Sequence, residues 1–179
     1  LKASASSCFG RPAPSGAMAQ PRVIGFYSDK EGQPYCQFSN FYVLERPFDY
    51  VLPAFTRTGG FPERVRCEFA EKGIMASKAA LMGDLETFRL IAEATDARSC
   101  KELGRRVRPW DEELWVRHRE VIATEVAKCK FGSDDGLRRL LLETGDTILA
   151  QAAPKDGIWG VRVPLGDPRL QEPSKWQGR

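Results

Sequence analysis

The sequence holds one histidine, His118, no Cys-x-x-Cys pair, and no apolar run long enough to span a membrane. Each shortage excludes something. A zinc site built from His and Cys has almost no ligands to draw on, and no metal or cofactor is expected. Ser-His-Asp chemistry would have to use His118, which lies among Leu114, Trp115, Val121 and Ile122 and reads as a packed structural residue. The cysteines, at positions 8, 36, 67, 100 and 129, are odd in number and widely spaced. That pattern fits reduced thiols in an intracellular compartment, cytoplasmic or nuclear, rather than a disulfide framework. An excess of one charge is also lacking. A net charge of +3 permits contact with phosphates but does not argue for a dedicated nucleic-acid groove.

What is present suits one globular domain: 179 residues, 42% of them hydrophobic. Residues 1–22 are rich in Ala, Ser, Gly and Pro and contain no acid. They read as a flexible leader, or as an extension ahead of Met18. The basic Lys2 and Arg11 leave an organellar transit peptide open. The folded domain is expected over 23–179, with no obligate protein partner evident.

Val23 to Tyr27 reads as a strand. Residues 43–66, with three prolines and two glycines, read as a mobile loop or irregular hairpin. From Glu71 onward the pattern is helical. Asp84, Asp96, Asp111 and Asp134 or Asp135 stand where helix N-caps are expected, and Gly104 and Gly145 where helices stop. Thr147 to Ala153 and Ile158 to Val161 read as short strands, followed by an extended tail. The sum is a helix-rich α+β single domain with a few short strands.

Glu71 and Lys78 are the most informative pair. Seven residues apart on a helix, they share one stripe, flanked by Ile74, Met75, Leu81 and Met82. Their Cα atoms are separated by roughly 10 Å along the axis. That is long for an ion pair, but both tips can converge on one ligand. On spacing alone the pair is either solvated surface charge or the floor of a site. Arg105 and Arg106 are either a phosphate clamp or surface charge. Trp110 and Trp115 read as core. Trp159, just after Asp156, could stack a planar ring beside a carboxylate.

Taken in order, these segments resemble the NADAR (YbiA-like) family. The motifs that carry the likeness are Phe38-Ser39-Asn40-Phe41, Glu71-(x)6-Lys78-Ala79-x-Leu81-x-Gly83-Asp84 and Leu103-Gly104-Arg105-x-Val107. Further along come Trp115-x3-Arg119, Lys130-Phe131, Leu141-Leu142-x-Thr144-Gly145-Asp146 and Pro154-x-Asp156-x-Ile158-Trp159-Gly160. The resemblance runs from about residue 26 to 178. It implies a YbiA-like fold and metal-independent N-glycosidase chemistry on ADP-ribosyl or phosphoribosyl N-glycosides. The substrate it implies is ADP-ribosylated guanine in DNA, RNA or nucleotides, or else a riboflavin-pathway intermediate. By position it assigns Glu71, Lys78 and Asp156 to catalysis. Asn40, Phe41, Arg105, Asp146, Trp159 and Gly160 become substrate-binding groups. Glu71 would serve as acid/base, and Lys78 as nucleophile or electrostatic anchor. Two departures stand out. Gln151 occupies a position where the family usually has Glu, and the chain ends at Arg179 where the family continues with an N-x-L-G segment and a last helix. They keep a third reading open, an ADP-ribose-binding module without turnover.

Overall fold

The computed structural model describes residues 22–57 and 59–178. The expected leader, Arg22 apart, lies outside them. Among the described residues are two small sheets and five helices. Strand β1 (Val23–Phe26) pairs in parallel with β4 (Ile148–Gln151), matching Val23 to Ile148 and Phe26 to Gln151. Strand β2 (Phe48–Val51) pairs antiparallel with β3 (Arg64–Cys67). Phe48 and Tyr50 on one strand, and Val65 and Cys67 on the other, turn inward, the period of two that a half-buried hairpin requires. The 43–66 region is therefore a hairpin anchored in the core, with Leu52 and Thr56 also fully buried.

Helix α1 (Ala70–Leu81) forms the centre and packs against α2 (Leu85–Glu93), α3 (Ala97–Arg106), α4 (Glu112–Gly132) and β3. It is buried on nearly all sides, whereas its spacing predicts a single apolar stripe. Small residues make that possible. A Cβ on Gly73 would meet Val126 Cγ2 at 3.0 Å and Tyr50 Cδ1 at 3.3 Å. Two buried polar side chains on α1, Ser77 and Lys72, have partners: the Ser77 hydroxyl donates to Tyr50 Oη at 3.1 Å. Lys72 donates to the Ala92 carbonyl at 3.2 Å and lies 2.5 Å from Glu68 Oε2. That second contact is one of charge, since Glu68 Oε2 accepts no aligned hydrogen bond.

The aspartate caps stand where the sequence placed them. Asp84, Asp96, Asp111 and Asp134 start α2, α3, α4 and α5 (Asp135–Glu143), each accepting a backbone N–H at 2.9 Å through Oδ1. Each such cap contributes about 1 kcal/mol.

Three expectations change. Helix α3 continues through Gly104 to Arg106, so Gly104 is no left-handed stop. It is a point of close approach, where an added Cβ would collide with the Met75 side chain. Residues 158–161 form a bend rather than a strand, because Asp156 Oδ1 captures the N–H groups of Ile158 and Trp159, both at 2.9 Å. The tail folds back as two short 3₁₀ turns, burying Leu170 with Val23, Ala150, Val161 and Val163 in a second small core.

Candidate active site

Glu71 lies in the first turn of α1, after an extended Phe69 that caps with no side-chain bond. Its backbone N–H donates to the Asn40 carbonyl at 2.9 Å, fastening the start of α1 to the 37–41 loop. The side chain is 6% exposed, and burial pushes its carboxyl up to about 7. Lys101, Lys78 and Arg105 pull it down and Asp156 pushes it further up. A carboxyl in this position holds a proton near neutral pH.

Two turns along α1, Lys78 is half-buried. Its amine donates to the Gly104 carbonyl at 2.7 Å, in the last turn of α3. It also lies 4.2 Å from the centre of the Trp110 ring and 5.5 Å from that of Trp115. Burial lowers its pKa, opposed by Glu112 and Glu71 and aided by Arg108 and Arg105. The indole N–H of Trp110 donates to Glu112 at 3.1 Å, which fixes the ring against the amine. Trp115 is in the core as expected, whereas Trp110 is 38% exposed and belongs to the surroundings of Lys78. His118 stacks on Phe55 with ring centres 4.4 Å apart, the packed role expected for it.

The other sequence candidates divide. Asp156, half-buried, acts on Glu71 through its charge while capping its own turn. Arg105 is exposed, and its charge acts on both Glu71 and Lys78. Asn40 reaches Glu71 through its carbonyl, and Phe41 lies under Lys101, 5.3 Å from the amine. Trp159 and Gly160 lie three and four residues after Asp156, whose Oδ1 accepts the Trp159 N–H at 2.9 Å. A Cβ on Gly160 would meet Ala153 Cβ at 2.8 Å and the Asp156 carbonyl at 2.9 Å, so the tight bend requires glycine. Asp146 is the exception: it sits exposed in the turn between α5 and β4, and is not among the charges acting most strongly on Glu71 or Lys78. Gln151 ends β4, and its carbonyl accepts from Ala153 and Val161.

Sequence reasoning did not single out Lys101, Arg108, Trp110, Glu112 or Lys130 as site residues. Lys130 had a usable signal. It continues the Ile122, Val126 row at steps of four, so it falls on the buried face of α4.

The arrangement offers a buried acid, a second carboxyl, a half-desolvated amine and a rim of cations. That set can protonate a leaving group, stabilise positive charge on carbon and hold phosphates. Among relatives, 110 residues are 37% identical to an N-glycosidase of Acanthamoeba polyphaga mimivirus, over 62% of this chain and 65% of that protein. The match therefore spans a little under two thirds of the viral protein's length. A second relative, the protein irg-1 of Caenorhabditis elegans, is 28% identical over 145 residues, 80% of this chain and 68% of its own. The solved structure of the E. coli protein YbiA superposes with a TM-score of 0.61 at 24% identity, over 86% of this chain and 81% of that one, and so shares the fold. The NADAR domain model matches residues 25–179, and this chain belongs to the NADAR domain family.

Proposed function

We propose that this chain is an N-glycosidase that removes ADP-ribose from guanine in nucleic acid or nucleotides. The observation that carries this reading is the buried Glu71 carboxyl, raised to about 7 and neighboured by Asp156. Glu71 gives its proton to the departing base nitrogen. The C1–N bond breaks, its electron pair goes to the base, and C1 takes on oxocarbenium character. Carboxylate charge nearby stabilises that centre. Water then adds to C1 and returns a proton to Glu71. The name borne by the viral relative supports glycosidic chemistry. The cations Lys101, Arg105 and Arg108 around the pair favour a phosphorylated substrate.

Lys78 has two available roles. Its lowered pKa suits attack on C1, with loss of an amine proton, departure of the protonated base and opening of the sugar to an imine that water cleaves. Its bond to Gly104 and its seat against Trp110 suit a charge that anchors the substrate. Reduction with borohydride during turnover separates them: a trapped adduct on Lys78 selects the covalent role, and its absence selects the anchor.

Incubation with guanine-ADP-ribosylated DNA and, separately, with a phosphoribosyl pyrimidine tests the substrate. Release of ADP-ribose from the first is expected. Release of ribose 5-phosphate from the second alone assigns the pyrimidine instead. Tight ADP-ribose binding with no release from either makes the chain a binding module.

A further inference from the structure

Lys130 is 1% exposed, an unusual place for an ammonium group. Burying an ion costs several kcal/mol after relaxation, and an apolar side chain would fill the same space without that cost. What the amine touches explains its presence. It donates to the carbonyls of Gln37 at 2.6 Å and Ser39 at 2.7 Å, and lies 5.2 Å from the Phe131 ring and 5.8 Å from the Tyr42 ring. Its hydrogen-bond partners are carbonyls, not carboxylates. Burial pushes its pKa down to about 7, opposed by Cys36.

The loop so held has little regular structure of its own. It is one 3₁₀ turn (Cys36–Phe38) entered through Tyr35 at φ 55 and followed by a turn in which Ser39 Oγ accepts the Phe41 N–H at 3.2 Å. Its next two residues are the ones that meet the site. The Asn40 carbonyl takes the Glu71 N–H, and the Phe41 ring supports Lys101, the strongest of the cations acting on Glu71. The chain of contacts runs from α4 to the 37–41 loop to the first turn of α1, each link a named contact.

We propose that Lys130 is a positioning residue for the Glu71 site: its buried amine clamps the 37–41 loop by two carbonyls, and that loop sets the placement and surroundings of the Glu71 carboxyl. Lysine is suited to the task because its amine satisfies two carbonyls on different residues at once. Methionine fills the volume but takes this donor from the half-buried Gln37 carbonyl and leaves the Ser39 carbonyl only the Tyr42 N–H, 3.3 Å away. With the clamp lost, the loop loosens and water reaches Glu71, so the dominant cause of its raised pKa weakens.

This inference rests on Glu71 being the acid of the proposed reaction, but its test does not need turnover. Titration of the Glu71 carboxyl by carbon-13 NMR, assigned with Glu71→Gln, is compared in wild type, Lys130→Met and Ile122→Val. Ile122→Val disturbs the same buried face of α4 about two turns before Lys130 and removes no hydrogen bond to the loop. Lys130→Met is expected to lower the Glu71 midpoint by half a pH unit or more, while Ile122→Val leaves it in place. An unchanged midpoint in folded Lys130→Met, whatever its melting temperature, overturns the proposal. So does an equal shift in Ile122→Val. Should Lys130→Met fail to fold, Lys130→Leu, which also lacks any donor for the two carbonyls, is read by the same criterion. A wild-type midpoint in the ordinary carboxylate range contradicts the functional reading instead, a result distinct from failure of the clamp.

Discussion

The Lys78 amine donates to the Gly104 carbonyl at 2.7 Å, joining the middle helix of the core to the last turn of α3. The bond depends on the absence of a side chain at residue 104, since an added Cβ would collide with Met75. A Gly104→Val change must push α3 away from α1 or displace Met75. Overpacking of this kind costs about 1–3 kcal/mol. Urea unfolding should show that loss, together with a fall in activity as the Lys78 acceptor moves.

Trp110 presents the same amine with an aromatic face at 4.2 Å while remaining 38% exposed. A cation near a ring gains about 0.5–2 kcal/mol, depending on desolvation. Trp110→Ala removes that attraction but also lets water onto the amine, and because burial is the main cause of its lowering, the Lys78 pKa should rise toward its usual value. Stability should change by less than about 1 kcal/mol, as expected of a part-exposed residue. NMR titration of Lys78 beside a thermal melt checks both. A strongly destabilised variant with an unmoved amine would contradict the assignment.

Asp84 does two jobs at once. Its Oδ1 caps α2 through Thr87, and its Oδ2 accepts the Arg108 N–H at 2.8 Å. Burial raises its pKa, but the bonds from Arg108 and Thr87 outweigh that and leave it below the usual value of 3.8. A carboxyl lowered on folding gives stability that is present above its unfolded pKa and lost as pH falls through the folded one. Asp84→Ala should cost about 1–2 kcal/mol at pH 7. The gap should close below pH 3.8, where wild type loses the same contribution. Because Arg108 leads into Trp110 and Glu112, activity should fall as well.

Glu71 works in the opposite sense. Its folded carboxyl keeps a proton that the unfolded chain releases above about 4.5, so wild-type stability falls as pH rises from 4.5 towards 7. Glu71→Gln removes the buried charge. It should be more stable than wild type at pH 8, by on the order of 1–3 kcal/mol. The advantage should shrink to little at pH 4.5, and denaturant titrations at the two pH values test it.

The parts of this structure legible in the sequence are those decided within a few residues. Aspartate caps at 84, 96, 111 and 134 are local chemistry, and all four start helices. The parallel pairing of Val23–Phe26 with Ile148–Gln151 joins distant segments, and no local signal announces it. Ile158–Val161 has the composition of a strand, but Asp156 captures two of its N–H groups and forces a bend. At the site, Glu71, Lys78 and Asp156 stood out by spacing and motif. The Trp110 platform and the Lys130 clamp come from tertiary contacts, and Trp110 reads from sequence as one more core aromatic. The all-round burial of α1 was hidden because Glu71, Lys72 and Lys78 make it look amphipathic.

The central claim is that the Glu71 carboxyl donates the proton that frees the base. The direct measurement is the rate of ADP-ribose release from guanine-ADP-ribosylated DNA, across pH, for wild type and Glu71→Gln. Loss of a general acid lowers a rate by roughly 100-fold or more. The account predicts that loss in the variant, and a wild-type rate that falls as pH rises through about 7. Equal release by the two proteins, or a wild-type rate that stays level through that range, would contradict it.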